Sequence, residues 1–351
     1  MANWYATREQ VKRAVRASGV QVNESIDRTI EAASRSIDRS TRRYFIPRTE
    51  TRLYRWPQNN GNSLMLYLDQ DLLSVTTLQT KAQNSSPTTI SSSDYFLEPE
   101  NQNPPYIRVE IDLSSTSSFE AGDTPQRSIS VAGSWGYSSN TRGSGTVTSG
   151  LAADAAATSM VCSDGSLIDV GDTLLIDSEQ IFVASRTNAA EPNTDLLNGA
   201  LTKDASENVT VDSGSRYSVG EVIMVDIEKM LVVGINGNVL DVQRGYDGSQ
   251  VAAHSDDTGV HVFRTLTIER GLNGTTAATH SNATAISKYE PEFPINQLCI
   301  AEASSAIKQE MAGWGRNIGA GDNQTELQGR GLAELRRQTV GQYSRLRKAA
   351  V

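Results

Sequence analysis

Cysteine is nearly absent: Cys162 and Cys299 are the only two among 351 residues. That excludes a disulfide framework and a cysteine-built zinc site, and points to folding in a reducing cytosol. Histidine is also rare, with three copies, so a nucleophilic triad or a histidine-rich metal centre has little to draw on. Aromatics make up 6% and apolar residues 38%, at a mean hydropathy of −0.39. Such a chain is turn-rich and β-rich; it is not a helical bundle. No apolar run approaches the ~18 residues of a membrane span. The opening Met1-Ala-Asn-Trp-Tyr-Ala-Thr-Arg-Glu9 has no apolar signal segment, so neither secretion nor a membrane is expected. No Gly-rich loop ends in Gly-Lys-Ser/Thr, and no zinc-finger or RNA-binding signature occurs. From these absences we expect no enzyme, no cofactor and no metal ion.

The length predicts two or three domains, at roughly 100–200 residues each. The net charge of −9 is polarised along the chain. Residues 1–55 hold 12 Lys and Arg against 6 Asp and Glu, and residues 330–351 hold 6 against 1. Residues 151–286 reverse the balance, with 7 basic and 19 acidic. Ends and middle therefore face different surroundings. The basic ends either solvate helix faces or approach an acidic surface.

Residues 7–18 read as a short helix opened by a Thr7/Gln10 capping box. A longer helix runs from Asn23 to about Tyr44, with Ile26, Ile30, Ala33 and Ile37 at helical spacing. Its other face carries Arg28, Arg35, Arg39, Arg42 and Arg43. From 48 to 140 the period shifts to two, and short runs separated by turn residues predict an antiparallel sandwich or barrel. Residues 138–160 are Ser/Thr/Gly/Ala-rich and read as a linker. Residues 294–312 return to helical spacing. A break follows at Gly313, Gly315, Gly319 and Gly321, and Thr325–Ala350 reads as a mobile arm or interface helix with no core stripe.

The middle contains a nested repeat. Gly171-Asp-Thr-Leu-Leu-Ile-Asp-Ser-Glu179 matches Gly220-Glu-Val-Ile-Met-Val-Asp-Ile-Glu228. Arg244-Gly-Tyr-Asp-Gly-Ser-Gln-Val-Ala-Ala-His254 matches Arg270-Gly-Leu-Asn-Gly-Thr-Thr-Ala-Ala-Thr-His280. Both opening halves precede both closing halves, so one β-module is inserted in another. The units span about 160–203 with 264–286, and 204–263. Modules of this size are too small for a deep core and are expected to pack on each other or on neighbouring subunits. Glu179 and Glu228 invite an acid–base reading, but Arg270 and Arg244 make in-module salt bridges the simpler one. His254 and His280 invite a metal reading, yet a histidine repeated at one place in each module reads better as a turn-stabilising group.

Residues 1–140 with 287–351 resemble the head-to-tail adaptor (connector, head-completion) proteins of tailed bacteriophages. Tyr5-Ala-Thr-Arg-Glu-Gln-Val-Lys12 is similar to the family's first helix, and Asp27 through Phe45-Ile-Pro47 to its long second helix. Leu72-Leu-Ser-Val-Thr-Thr-Leu78, Asp94-Tyr-Phe-Leu-Glu-Pro-Glu100 and Ile129-Ser-Val-Ala-Gly-Ser-Trp-Gly-Tyr137 follow in the family's order. The insert departs from a minimal adaptor, and its Arg-Gly-x-x-Gly-Ser/Thr…His pattern resembles β-modules of other virion proteins.

The resemblance implies an α+β fold: N-terminal helices and a C-terminal helix packed with a small antiparallel β-sandwich, plus inserted all-β modules. The host domain is 1–143 and 287–351, with a C-terminal arm at 325–351, and the insert is 144–286. It implies a structural virion protein made in the bacterial cytoplasm. Such a protein forms a ring of probably twelve copies in the phage neck and joins the portal to a downstream tail or neck protein. Genomic DNA meets it only in passing through the channel, and no membrane is involved. Portal contact is expected from Arg330, Arg336, Arg337, Arg345, Arg347 and Lys348, and inter-subunit contact from the arginines at 28, 35, 39, 42 and 43. The alternatives are a tail-side stopper or terminator, and β-modules that bind host glycans. The insert's tyrosines Tyr217 and Tyr246, with Tyr289 at its edge, are the only aromatic platforms of that kind, and it has no Trp.

Overall fold

In the computed structural model, residues 3–57, 64–102, 104–189, 195–204, 208–311, 317–318, 325–326 and 330–345 are described. The chain is a mixed α+β protein, and the two charged ends of the sequence meet in one helical layer. Helix α1 (Arg8–Val15) starts on the expected capping box: the Thr7 hydroxyl accepts from the Gln10 N–H at 3.2 Å, and the Gln10 side chain accepts from the Thr7 N–H at 2.9 Å. Helix α2 (Asn23–Thr41) buries Ile26, Ile30, Ala33 and Ile37 and stops where Arg42 turns left-handed, short of Tyr44. Helix α3 (Phe293–Met311) lays Ile295, Leu298, Ala303 and Ile307 against that same core.

Helix α4 (Arg330–Tyr343) is packed on α2 and α3, and this corrects the reading of a mobile arm without a core stripe. Thr339 and Tyr343 are buried, and Leu332, Leu335 and Val340 join the helical core. Tyr343 packs edge-on against Phe45 and Tyr137 at 5.7 and 5.4 Å. The stripe escaped notice because one of its members is a threonine and arginines interrupt it. Gly313, Gly315, Gly319 and Gly321 of the glycine break lie outside the described residues, as do Arg347 and Lys348.

The host strands are β1 (Arg48–Tyr54), β2 (Met65–Thr80), β3 (Thr88–Ile90), β4 (Tyr95–Glu98), β5 (Tyr106–Ile111) and β6 (Ile129–Trp135). They form one antiparallel sheet, ordered β1-β6-β2-β5-β4 with β3 on β2. Strand β2 is one long strand in place of the expected short runs: it pairs with β5 through Met65–Leu72 and with β6 through Leu72–Gln79. Both halves share an apolar cluster with Leu66, Leu78, Val109, Val131 and Trp135.

The expected linker at 138–160 contains one strand and the start of another. Eleven strands follow the host sheet: β7 (Thr141–Ser149), β8 (Ser159–Cys162), β9 (Thr173–Ile176), β10 (Glu179–Ala189), β11 (Asp195–Leu196), β12 (Asn208–Thr210), β13 (Val222–Val225), β14 (Glu228–Asn236), β15 (Val239–Gln243), β16 (Gly259–Glu269) and β17 (Ala285–Tyr289). Their pairings close two barrels. Barrel one runs β10-β9-β17-β7-β8-β16 and returns to β10. Barrel two runs β16-β13-β14-β15-β12, closed by the Leu197–Val211 bridge and by β11 on β16. Closure leaves neither barrel an open edge.

Strand β16 belongs to both. Val260–Val262 pairs with β13 of barrel two, and Thr265–Glu269 pairs with β8 and β10 of barrel one. Period-two alternation fills each barrel with its own apolar residues: Leu174, Ile176, Ile181, Val183 and Ile268 in one, and Ile223, Val225, Met230, Val232 and Val242 in the other. The registers superimpose the two: Phe182–Glu269 corresponds to Leu231–Gln243, and Val147–Cys162 to Leu197–Val211. The first unit therefore begins at β7, about twenty residues before the sequence match detects it.

Candidate functional site

Each barrel is locked by a four-residue clamp, in which the Arg, Glu and His side chains are buried and the Asp is exposed. In barrel one, Arg270 donates through Nε and a terminal nitrogen to the two oxygens of Glu179, both at 2.7 Å. The Gly271 and Ala278 amides donate to the same carboxylate at 3.1 and 3.0 Å. His280 places Nε2 2.8 Å from Glu179 and Nδ1 2.7 Å from Asp177. In barrel two, Arg244 donates to Glu228 at 3.0 and 2.7 Å, the Gly245 and Ala252 amides at 3.1 and 3.0 Å, and His254 lies 2.9 Å from Glu228 and 2.7 Å from Asp226. Bidentate charge-assisted pairing in a buried site is strong and directional.

Burial alone would raise both glutamates. The bonds from Arg270 and the Ala278 amide, with those from His280 and Gly271, outweigh it and hold Glu179 down to about 2. Arg244, Ala252, His254 and Gly245 hold Glu228 down to about 2 in the same way. A carboxylate so satisfied is a poor proton carrier at neutral pH. Each imidazole has both nitrogens against carboxylates of its own clamp, so the two histidines do not converge. Among the described residues no group of three or more His, Cys, Asp or Glu is placed to hold a metal ion.

The clamps carry a second repeated feature, which sequence reading missed. The Arg-Gly-x-[Asp/Asn]-Gly turn places Asp247 or Asn273 in the left-handed region, with φ of 52° and 54°. Asn273 donates to Asn3 and Gln180 at 2.8 and 2.6 Å. Asp247 accepts from Lys12 and Lys229 at 2.9 and 3.2 Å and from the Gly19 amide at 3.1 Å. Both turns dock on the N-terminal part of the host. Next to Asn273, Gly274 has φ +81°, and a Cβ there would sit 2.0 Å from the Thr49 carbonyl oxygen of β1.

Barrel one is bound further. Trp4 stacks edge-on against Phe182 at 5.2 Å, the Arg8 amide donates to the Val170 carbonyl at 3.0 Å, and the Val170 amide donates to Glu9 at 3.0 Å. Glu9 and Asp169 both face Arg186 at 3.8 and 3.9 Å. Burial, reinforced by Asp169 and opposed by Arg186, pushes Glu9 up to about 7. Burial also pushes Asp172 up to about 6, against the pull of Lys288 at 3.1 Å. The insert is thus part of the body of the molecule, and its modules pack on the host as well as on each other.

The basic residues singled out by the sequence divide into two sets. Arg345 and Arg43 both pair with the fully buried Asp71, which β2 carries at its bend. Arg336 bonds to Glu302, Ser36 and Ser40, and Arg35 to Asp38 and the Asn3 carbonyl. These four are spent inside the chain. Arg28, Arg39, Arg42 and Arg337 are exposed; Arg337 pairs with Glu334 on its own helix, and Arg28 lies 4.0 Å from Glu24 and Glu310. The side chain of Arg330 lies outside the described residues, with Arg347 and Lys348. No described helix is long and apolar enough to cross a membrane. Comparison with family models, curated proteins and solved structures gave no match.

Proposed function

We propose that this chain is a structural assembly protein of the phage neck: a dodecameric ring-forming adaptor between the portal and a downstream tail or neck protein, and not an enzyme. One observation carries most of the support. Residues 3–46 and 293–343, separated by some 250 residues, share a single apolar core built on Tyr5, Ile30, Phe45, Leu298, Ile307 and Tyr343. This supports the discontinuous host that the resemblance implies: the long helix and the returning helices share that core, beside a host sheet with an apolar cluster of its own. The clamps favour the same reading, because their glutamates are held down to about 2 by arginine and amide donors, while Glu9 and Asp172, raised by burial, are engaged by the Val170 amide and by Lys288.

In this reading the ring uses heterologous contacts, so each copy needs two different complementary faces. Among the described candidates the exposed arginines Arg28, Arg39 and Arg42 are the groups left for a partner, whereas Arg336 and Arg345 hold α4 in place; portal contact through Arg330, Arg347 and Lys348 remains part of the proposal. Native mass spectrometry of the chain with the purified portal tests the proposal: a complex of about twelve copies is expected, and neither ring nor complex would overturn it. Changing Arg347→Glu with Lys348→Glu is expected to abolish portal binding and leave the thermal melt unchanged. Portal binding that survives this change points to the tail-side stopper or terminator instead.

A further inference from the structure

The repeat places one buried acid in each barrel, directly after its first matched glycine: Asp172 in barrel one and Glu221 in barrel two. Each accepts from the backbone amide three residues earlier, Asp169 at 2.8 Å and Ser218 at 2.9 Å. Beyond that they part. Glu221 is closed by a guanidinium: Arg264 donates through Nε and a terminal nitrogen to its two oxygens at 2.7 and 2.8 Å, and the Gly165 amide donates at 2.8 Å. Asp172 has Lys288, 3.1 Å from the oxygen that already takes the Asp169 amide. Its other oxygen accepts from no group among the described residues.

The registers locate what differs. Ile176 pairs with Ile286 as Val225 pairs with Val260. Counting on from these pairs, Tyr289 corresponds to Phe263 and Glu290 to Arg264. Barrel one therefore carries an acid at the position from which barrel two supplies its arginine. Asp172 and Glu290 both line a cavity of about 620 Å³ between the host's N-terminal segment and barrel one. Its charged lining is Asp172, Glu290, Glu292 and the one lysine, Lys288. Glu292 accepts from Asn140 at 3.1 Å, and Glu290 lies 3.7 Å from the exposed Arg142. Thr173, 1% exposed, lines the same cavity with a hydroxyl that has no partner, where barrel two has Val222. Burial pushes Asp172 up to about 6 against the pull of Lys288, so the lysine leaves its charge incompletely satisfied. Trp4, Tyr289 and Phe293 form aromatic parts of the wall. Unspent acceptors, an excess of negative charge and aromatic rings together suit a planar cation with several donors, which is a guanidinium.

We propose that this cavity takes a guanidinium group from outside the chain, held by Asp172 and Glu290 as Glu221 holds Arg264. An arginine side chain of a bound protein and a small free guanidine carry the same chemistry. The site does not depend on the ring reading. The test titrates argininamide into the full chain at constant ionic strength and follows the Trp4 indole N–H by NMR. A saturable shift is expected, with lysinamide binding at least about threefold more weakly. Asp172→Asn keeps an acceptor for the Asp169 amide and should weaken argininamide about tenfold or more. Glu290→Arg restores the arrangement of barrel two; it should abolish the argininamide shift and raise the thermal midpoint. No saturable shift by about 10 mM, or unchanged binding in both variants, overturns the site. Once binding is seen, the source is read from complexes with the portal. Their loss on Glu290→Arg assigns the group to a partner's arginine, and their survival assigns it to a free guanidine. Argininamide binding by a chain that forms neither ring nor portal complex upholds the site and overturns the ring.

Discussion

Barrel one and barrel two have the same strand order, the same clamp and the same left-handed turn, yet they stand in different relations to the rest of the molecule. Barrel one is wrapped by the host: Trp4 covers its outer face, Glu9 and Thr7 reach its Asp169–Val170 corner, and Gly274 touches β1. Barrel two touches the host through Asp247, and its equivalent residues Val222, Met224, Lys229 and Leu231 are half-buried. Since the interiors match, the difference lies in the outward residues of two strands. Gln180 and Phe182 suit burial under an aromatic segment; Lys229 and Leu231 do not close over in the same way. A duplicated module thus acquires a second role by changing its surface while keeping its core.

The largest effect expected on this comparison comes from cutting the clamps. Glu179→Gln leaves Arg270 and His280 buried without their counter-charge and should cost about 3–5 kcal/mol, as should Glu228→Gln. The footprints should differ. Hydrogen exchange is expected to show Glu179→Gln loosening the host's N-terminal segment together with barrel one, while Glu228→Gln loosens residues 208–263. Identical footprints would break the comparison.

Acid acts on both clamps alike. A carboxylate depressed from 4.5 to about 2 on folding contributes stability above pH 4.5 that is lost as pH falls through its folded value. Each clamp should therefore lose about 3 kcal/mol between pH 5 and 2. The junction of α1 with barrel one has the opposite sign. Glu9 and Asp172 are raised by burial to about 7 and about 6, so that junction is strongest below the ordinary carboxylate range and weakens as pH rises towards 7. Exchange protection of α1 is expected to increase from pH 7.5 to 5.5, before the clamps begin to fail. A flat profile there would separate the junction from these two carboxyls.

Smaller effects sharpen the contrast of outer faces. Trp4→Ala should cost about 3 kcal/mol, because it uncovers Phe182 and Gly171. Leu231→Ala, at the position equivalent to Phe182, should cost less, about 1 kcal/mol, since that side chain is only half-buried. Urea melts of the two variants read the difference. Gly171→Ala and Gly220→Ala both strain a left-handed backbone, at φ +102° and +95°. Only at Gly171 does a Cβ meet a ring, 2.4 Å from Trp4, so its cost should exceed that of Gly220→Ala by about 1 kcal/mol.

Much of this was legible in the chain. The capping box at Thr7, the Ile26–Ile37 stripe and the period-two runs announce their elements because each is a local pattern with a local cause. The clamps were also within reach: Glu179 and Arg270 recur as Glu228 and Arg244 at fixed offsets, and opposite charges in a repeat pair. Asp177 and Asp226 went unnoticed, although both stand two residues before the clamp glutamate. The strands at 141–149 and 159–162 were missed because small polar residues there match the composition of a linker. Their partners, β16 and β17, lie more than a hundred residues away. Helix α4 was misread for a similar reason, since its buried face is completed by Phe45 and Tyr137.

By itself, the sequence determined the first two helices and the period-two runs of the host, that one module is nested in another, and which charges recur. Those properties arise from neighbours a few residues apart, or from identity between copies. Only the tertiary structure decided that both barrels close, that β16 serves the two at once, and that one barrel is wrapped while the other is only half-covered. It also decided which arginines are spent at Asp71 and Glu302 and which remain at the surface. Such outcomes depend on distant strands arriving side by side and on whether water is displaced from a charge when they do, and neither is written in local order.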